Sequence, residues 1–311
     1  MSFFIALGFA WMIYPFFIQA LKKMQIAQHV SVYAIDSYKQ KERTPIFGGV
    51  VFLLVGVTTT IIVMFPNIDS SLISVMVHML LFASIGLVDD IKIIKEGKND
   101  GLSGKMRLVL QTLFAISFVV LTLDNSSLQL FSYTLSLPVW ILIPIRVFMI
   151  VGSINAFNIT DGMDGLSAGL SVFVFAGLAF IAYQEQATSL LFILAMLGAI
   201  FGFLRFNISP AKIFMGDVGS YGLGGVLIML GLVLGKDLVF IVLYAVYLVE
   251  ILCVVIQQVA VRLFKRRVFS YTPIHYAFVL KGMKDQKVVW MFYAHGFLSL
   301  AIGLALYALG G

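Results

Sequence analysis

The sequence predicts an all-α, polytopic integral membrane protein with about ten transmembrane helices and both termini outside the cytoplasm. Three observations predict it. Mean hydropathy is +1.03 over 311 residues, far above that of a soluble domain. The apolar residues form runs of roughly 17–25 residues, long enough to cross a bilayer, and the runs are continuous rather than alternating, which excludes a strand barrel. The basic residues are confined almost wholly to alternate loops.

In chain order, run 3–21 has no basic residue before it and Lys22 and Lys23 after it, the wrong polarity for a cleaved signal peptide. Loop 22–45 adds Lys39, Lys41 and Arg43 and leads into run 46–65. Run 71–88 is followed by a second basic loop, 89–107, with Lys92, Lys95, Lys98, Lys105 and Arg107. Runs 107–123 and 138–154 come next, the latter containing Arg146. Runs 166–183 and 188–204 follow, and Arg205 and Lys212 flank the loop after them. Run 218–235 is rich in glycine, and only Lys236 and Asp237 separate it from run 238–261. The most basic loop, 262–287, holds Arg262, Lys265, Arg266, Arg267, Lys281, Lys284 and Lys287, and run 288–309 closes the chain.

Of 21 Lys and Arg, Lys236 alone lies in an even-numbered loop. Basic loops stay in the cytoplasm, so the odd loops face inward. The even loops are short and nearly uncharged. Residues 1–311 are therefore expected to form a single transmembrane domain with its polar chemistry on the cytoplasmic face. The excess of positive charge flanks the membrane and is no nucleic-acid signal. The lone Cys253 excludes an internal disulfide framework and reads as a small core residue.

Three inward loops carry acids: Gly86-Leu87-Val88-Asp89-Asp90, the stretch Asn155-Ala-Phe-Asn158-Ile-Thr-Asp161-Gly-Met-Asp164-Gly165, and Met215-Gly216-Asp217-Val218-Gly219-Ser220. Carboxylates with neighbouring amides are hard oxygen donors suited to Mg²⁺, which takes one or two carboxylates and completes its shell with substrate phosphates. Lys41, Lys105 and Arg107 supply charge for phosphate oxygens. Glycines at 162, 165, 216 and 219 let backbone amides approach an anion, and Gly165-Leu166 would aim a helix N-terminus at it.

Each element also has an ordinary explanation. Asp89-Asp90 at a helix end reads equally as a solvated terminus, although a negative pair there opposes the helix dipole. Gly-Asp-x-Gly-Ser alone is a common polar turn. The combination on one side of the membrane carries the argument. His275, in Tyr-Thr-Pro-Ile-His-Tyr, is a candidate for phosphate or sugar contact. Glu250, inside a span, reads as a partner to a polar group within the bundle. Gln257 and Gln258 read as interhelical hydrogen-bond formers.

With these residues in place, the chain resembles the polyprenyl-phosphate N-acetylhexosamine-1-phosphate transferase superfamily, and within it the phospho-N-acetylmuramoyl-pentapeptide transferase branch. The resemblance runs through Thr-Pro-Ile-Phe-Gly-Gly (44–49), Leu-Val-Asp-Asp (87–90), Gly-Leu-Ser-Gly-Lys (101–105), the 155–169 stretch, Pro-Ala-Lys-Ile-Phe-Met-Gly-Asp-Val-Gly-Ser (210–220) and the segment 271–283. It implies an Mg²⁺-dependent exchange at the inner face of the bacterial plasma membrane. Undecaprenyl phosphate would attack the β-phosphorus of UDP-MurNAc-pentapeptide, releasing UMP and forming lipid I for peptidoglycan. It implies that Asp217 is the metal ligand and that Asp89 and Asp90 lie beside the reacting phosphates, Asp89 as a candidate base. Asn155, Asn158, Asp161 and Asp164 match the nucleotide-side loop. Lys41, Asn207 and Phe214 match positions associated with uridine, with Phe214 stacking on uracil. A hydrophobic groove for the prenyl tail and a homodimer are also implied.

Three positions depart from the branch pattern. His275-Tyr276-Ala277 stands where three consecutive His are usual, so only His275 carries over. Tyr33-Ala34-Ile35-Asp36-Ser37-Tyr38 replaces an Asp-Gly-Pro-x-x-His motif, and Ile93 replaces a lysine. The alternative within the superfamily is a transferase acting on UDP-GlcNAc or another UDP-HexNAc. A secondary transporter is a distant alternative, because its charges would gather near the midplane and its halves would repeat. A CDP-alcohol phosphotransferase is disfavoured, since Asp161-Gly162-Met163-Asp164 is followed by Gly-Leu rather than by the pattern that family requires.

Overall fold

The structure, a computed structural model, describes residues 1–27, 44–96, 101–122, 127–130 and 133–310. Its elements are α1 (Ser2–Lys23), α2 (Gly48–Met64), α3 (Ser70–Glu96), α4 (Gly104–Leu121), a hairpin of β1 (Ser127–Leu130) and β2 (Tyr133–Ser136), α5 (Val139–Thr160), α6 (Leu166–Gln184), α7 (Leu190–Asn207), α8 (Gly216–Val233), α9 (Asp237–Leu243), α10 (Ala245–Phe264), α11 (Ile274–Leu280) and α12 (Asp285–Gly310). The chain is thus a nearly all-α, multi-pass membrane protein.

Every expected apolar run is helical, with two amendments to the count. Nine helices among the described residues are long and apolar enough to cross a membrane. The run at 46–65 forms α2, of 17 residues; at 1.5 Å per residue it reaches about 25 Å, somewhat less than a hydrocarbon core. The run at 238–261 is divided at Tyr244 into α9 and α10. There the Tyr244 ring stacks between Phe240 and Tyr247, with centroids 5.1 and 4.4 Å away, and its hydroxyl donates to the Ser153 carbonyl.

Helix ends also differ from expectation, and the differences matter to the site. Asp89 and Asp90 do not end a helix. Residues 91–96 contain no Gly or Pro to stop it, so α3 continues to Glu96 and leaves both acids inside the helix, 1% and 2% exposed. The solvated-terminus explanation is therefore excluded. Similarly α5 runs to Thr160, which places Asn155 and Asn158 on a helix at i, i+3 spacing rather than in a loop. The β1–β2 hairpin and α11 had no counterpart among the apolar runs.

α8 is the centre of the bundle. Every residue from Val218 to Leu232 is buried, with α2, α3 and α5 packed around it. Glycine makes this closeness possible, as in other tightly packed membrane helices. A Cβ on Gly49 of α2 would lie 2.2 Å from the Gly219 Cα, and one on Gly86 of α3 would lie 2.1 Å from the Asp217 carbonyl oxygen. Neither neighbour is a flexible side chain that can retreat.

Two groups of polar contacts lie at opposite ends of the bundle. At one end even-numbered loops meet: Thr188 donates to Asp69, and Glu185 is bound by Lys236 and the Tyr307 hydroxyl, each at 2.9 Å. At the other end the three acid-bearing segments meet.

Candidate functional site

The site begins where α3 touches α8. The Asp90 carboxylate accepts the backbone N–H groups of Asp217 and Val218, each at 3.1 Å. These are N-terminal donors of α8 with no intrahelical partner, and an acid at that end of a helix also suits its dipole. One residue earlier, Asp89 accepts the N–H of Leu102, and its other oxygen faces Arg107 Nη1 at 3.5 Å.

That single Arg107 nitrogen also lies 4.0 Å from Asp217 Oδ2 and donates to the Tyr221 hydroxyl at 3.4 Å. All three distances exceed the 2.7–2.9 Å of a tight charge-assisted bond, so the guanidinium is loosely shared between two carboxylates. The remaining oxygen of Asp217, Oδ1, accepts from Asn158 Nδ2 at 2.8 Å, and the same amide reaches Ser220 Oγ at 2.9 Å. Asp89, Asp90, Asn158 and Asp217 therefore form one cluster, with Arg107 between Asp89 and Asp217.

A second cluster adjoins it through the 161–165 turn between α5 and α6. Gly165, with φ +77, provides the left-handed step into α6 that a side-chain-bearing residue disfavours. Its N–H donates to Asn207 Oδ1 at 3.0 Å, and Asn207 Nδ2 donates to the Ile213 carbonyl at 3.0 Å. Asp164 Oδ2 accepts the Ala211 N–H at 3.1 Å. Asn207 and Asp164 thus brace the turn against segment 207–214, and the half-buried Phe214 follows at once. The Phe214 backbone is bonded on both sides, to the Pro45 carbonyl and the Gly48 N–H, each at 2.8 Å.

Two tyrosine hydroxyls hold the turn from the opposite side. Tyr276 donates to the Gly162 carbonyl at 2.9 Å and Tyr293 to the Gly165 carbonyl at 2.6 Å. Asp161 sits at the head of the turn. Burial, reinforced by the negative charges of Asp217 and Asp164, pushes its carboxyl up to about 8. His275 is fully buried and paired through Nδ1 with Glu250 at 3.1 Å, so Glu250 has the polar partner expected of it.

Other expected residues fall differently. Asn155 turns to α4, donating to Gln111 Oε1 at 2.8 Å. Lys105 is exposed on the first turn of α4. Lys41 lies outside the described residues. Gln257 bonds the backbone of Val268 and Phe269 rather than another helix, fastening the basic loop to α10. The sequence reading missed Tyr221, Tyr276 and Tyr293, because a tyrosine beside an apolar run reads as packing. Their one signal is a phenol at the end of the bundle where carbonyls are left without donors.

Among the described residues no group of three or more His, Cys, Asp or Glu stands ready to hold a metal ion. Asp90 is occupied as a cap. Asp217, with Asp89 within hydrogen-bonding reach of it, supplies the hard-oxygen donor set. That set fits Mg²⁺ completed by substrate phosphates and water better than a prebuilt cage.

Comparison with known proteins places these residues in a wider group. Residues 72–235 match glycosyl transferase family 4. The chain is 36% identical to the phospho-N-acetylmuramoyl-pentapeptide-transferase of Staphylococcus epidermidis over 310 residues, covering 96% of each protein. Proteins of the same name from Staphylococcus aureus and Staphylococcus saprophyticus are each 35% identical, again over 96% of each chain.

Proposed function

The chain belongs to glycosyl transferase family 4, among the phospho-N-acetylmuramoyl-pentapeptide-transferases, and from that premise we propose that it makes lipid I for peptidoglycan synthesis. A phosphate oxygen of undecaprenyl phosphate attacks the β-phosphorus of UDP-MurNAc-pentapeptide. The bond from that phosphorus to the bridging oxygen breaks, UMP leaves with the electron pair, and a lipid-linked diphosphate remains. Such a transfer needs positioning and charge neutralisation more than covalent catalysis.

The observation that carries this reading is the gathering of Asp89, Asp217, Asn158 and Arg107 around one point, beside a glycine-bearing turn braced on two sides. Asp217, with Asp89 beside it, would hold Mg²⁺, which supplies charge for the diphosphate when bound. Arg107, held loosely, is free to turn to a phosphate oxygen. Asp161, Asp164 and Asn207 shape the nucleotide side, and Phe214 offers a face to uracil. Lys105, exposed two residues before Arg107, adds positive charge, and Lys41, outside the described residues, is kept as a donor-binding residue on the resemblance alone. The basic loops lie at the same end of the sequence topology, which supports a cytoplasmic site in the bacterial plasma membrane. A homodimer and a prenyl groove are part of the same reading.

The test is a substrate panel. Purified protein in detergent, with Mg²⁺ and undecaprenyl phosphate, is given UDP-MurNAc-pentapeptide or UDP-GlcNAc, and UMP release and lipid-linked product are measured. Product from the first donor, abolished by EDTA, is expected. Product from UDP-GlcNAc alone would move the chain to the sibling activity.

A further inference from the structure

α10 carries one acid in mid-membrane, Glu250, and it is fully buried. A carboxylate survives there only if its oxygens are well partnered. Oε2 accepts the N–H of Ile274 at 2.9 Å. Oε1 accepts the N–H of His275 at 3.2 Å and faces Nδ1 of the same residue at 3.1 Å. Since a carboxylate only accepts, the proton between them belongs on Nδ1.

The other ring nitrogen is the anomaly. His275 Nε2 is buried and has no hydrogen-bond partner. It lies against Gly162 in the 161–165 turn, so closely that a Cβ on that glycine would come within 2.5 Å of it. The neighbouring Tyr276 hydroxyl holds the same glycine through its carbonyl. One buried acid therefore sets the direction of α11, and α11 presents an unsatisfied nitrogen to the turn.

From this geometry we propose that Glu250 is a positioning residue: it holds His275 as the Nδ1–H form and turns Nε2 toward the 161–165 turn, to meet a phosphate oxygen of the bound donor. An anionic oxygen arriving at Nε2 favours a proton there, and the Glu250 carboxylate balances the imidazolium that results, as carboxylates do behind other working histidines. The role rests on the transferase reading above. It differs from simple capping of α11, which needs the two backbone N–H bonds but not the ring.

The test follows the ring itself. Histidines are labelled with ¹⁵N, and the His275 signal is assigned by its loss in His275→Asn. Without substrate, a protonated Nδ1 and a bare Nε2 are expected. UDP-MurNAc-pentapeptide without acceptor lipid should then protonate Nε2. In Glu250→Gln this response should vanish, and kcat/KM, measured at a temperature where the variant is folded, should fall about ten- to a hundredfold; its melting temperature should fall as well, because the amide keeps one acceptor of two for the N–H groups of Ile274 and His275. The double variant Glu250→Gln/His275→Asn should be no worse than the poorer single one. Normal kcat/KM in Glu250→Gln, losses that multiply in the double variant, or an Nε2 signal indifferent to the donor would each overturn the proposal. If Glu250→Gln does not fold, the measurement on the parent ring still decides it. A parent that exchanges no donor at all would instead defeat the transferase reading, while its substrate-free ring state still reports whether Glu250 keeps the proton on Nδ1.

Discussion

Asp90 of α3 closes the N-terminus of α8 by accepting the backbone N–H groups of Asp217 and Val218 at 3.1 Å each. The two acids therefore have different work despite equal prominence in the sequence. Asp90 is spent on holding the helix that presents Asp217, whereas Asp217 keeps an oxygen that faces a loosely placed guanidinium beside Asp89 and accepts no backbone N–H of the described residues.

This division predicts a stability cost at Asp90. Asparagine keeps one acceptor of two and loses the charge that complements the helix end. Asp90→Asn should destabilise the protein by about 1–3 kcal/mol, since a buried donor is left without a partner. The fall should appear as a lower melting temperature in detergent, with or without Mg²⁺. An unchanged melting temperature would mean that the cap is not formed.

Asp217→Asn should behave in the opposite way. The amide oxygen can still accept from Asn158, and the volume hardly changes, so the melting temperature should stay near that of the parent. Exchange should fall about a hundredfold or more, because the lost charge is the one proposed to hold Mg²⁺ and the diphosphate. Near-normal turnover would contradict the metal assignment.

The contrast marks what sequence alone reveals. The apolar runs are physical consequences of composition, so each reappears as helix, with 238–261 divided at Tyr244 into α9 and α10. The acids were identifiable because charge is rare in such a chain. Whether a particular acid is free or spent depends on which backbone groups a second helix brings to it. Asp90 and Asp217 are 127 residues apart, and nothing local to either foretells their bond. Helix ends were misjudged at Asp89 and Asn155 for a related reason. Hydropathy stops where polar residues begin, but a helix continues until a breaker such as the Gly162–Gly165 turn ends it. The tyrosine braces were illegible because a phenol's role is set by the carbonyl it reaches.

Asp161 gives a pH prediction with a definite sign. Its carboxyl is raised to about 8 by burial and by Asp217 and Asp164, above the ordinary 3.8. Between those values the folded state keeps a proton that the unfolded chain releases. The stability associated with that proton is complete below about pH 4 and is lost as pH rises towards 8. Asp161→Asn carries no such proton. In EDTA, the variant should gain on the parent by a few kcal/mol across this window, and the gap should level off above it. Melting curves at stepped pH measure the gap, and a constant difference from pH 5 to 8 would show that Asp161 is already ionised. Excess Mg²⁺ should shrink the gap if a cation binds nearby.

Phe214 offers the cleanest separation of nucleotide from lipid. Its backbone is pinned by Pro45 and Gly48, so a side-chain truncation leaves the segment in place. Phe214 is half-buried, one position from Met215 and three from Asp217. A base stacked on an aromatic ring gains about 1–3 kcal/mol, so Phe214→Ala should weaken binding of the UDP-linked donor by roughly five- to a hundredfold. The prenyl phosphate has no base to stack, and its KM should change little. UMP, which keeps the uracil and loses the sugar, should show the same weakening as the donor in a competition assay. Equal losses for donor and lipid would mean that the ring supports the site as a whole, and a donor-specific loss not shared by UMP would move its contact from the base to the sugar.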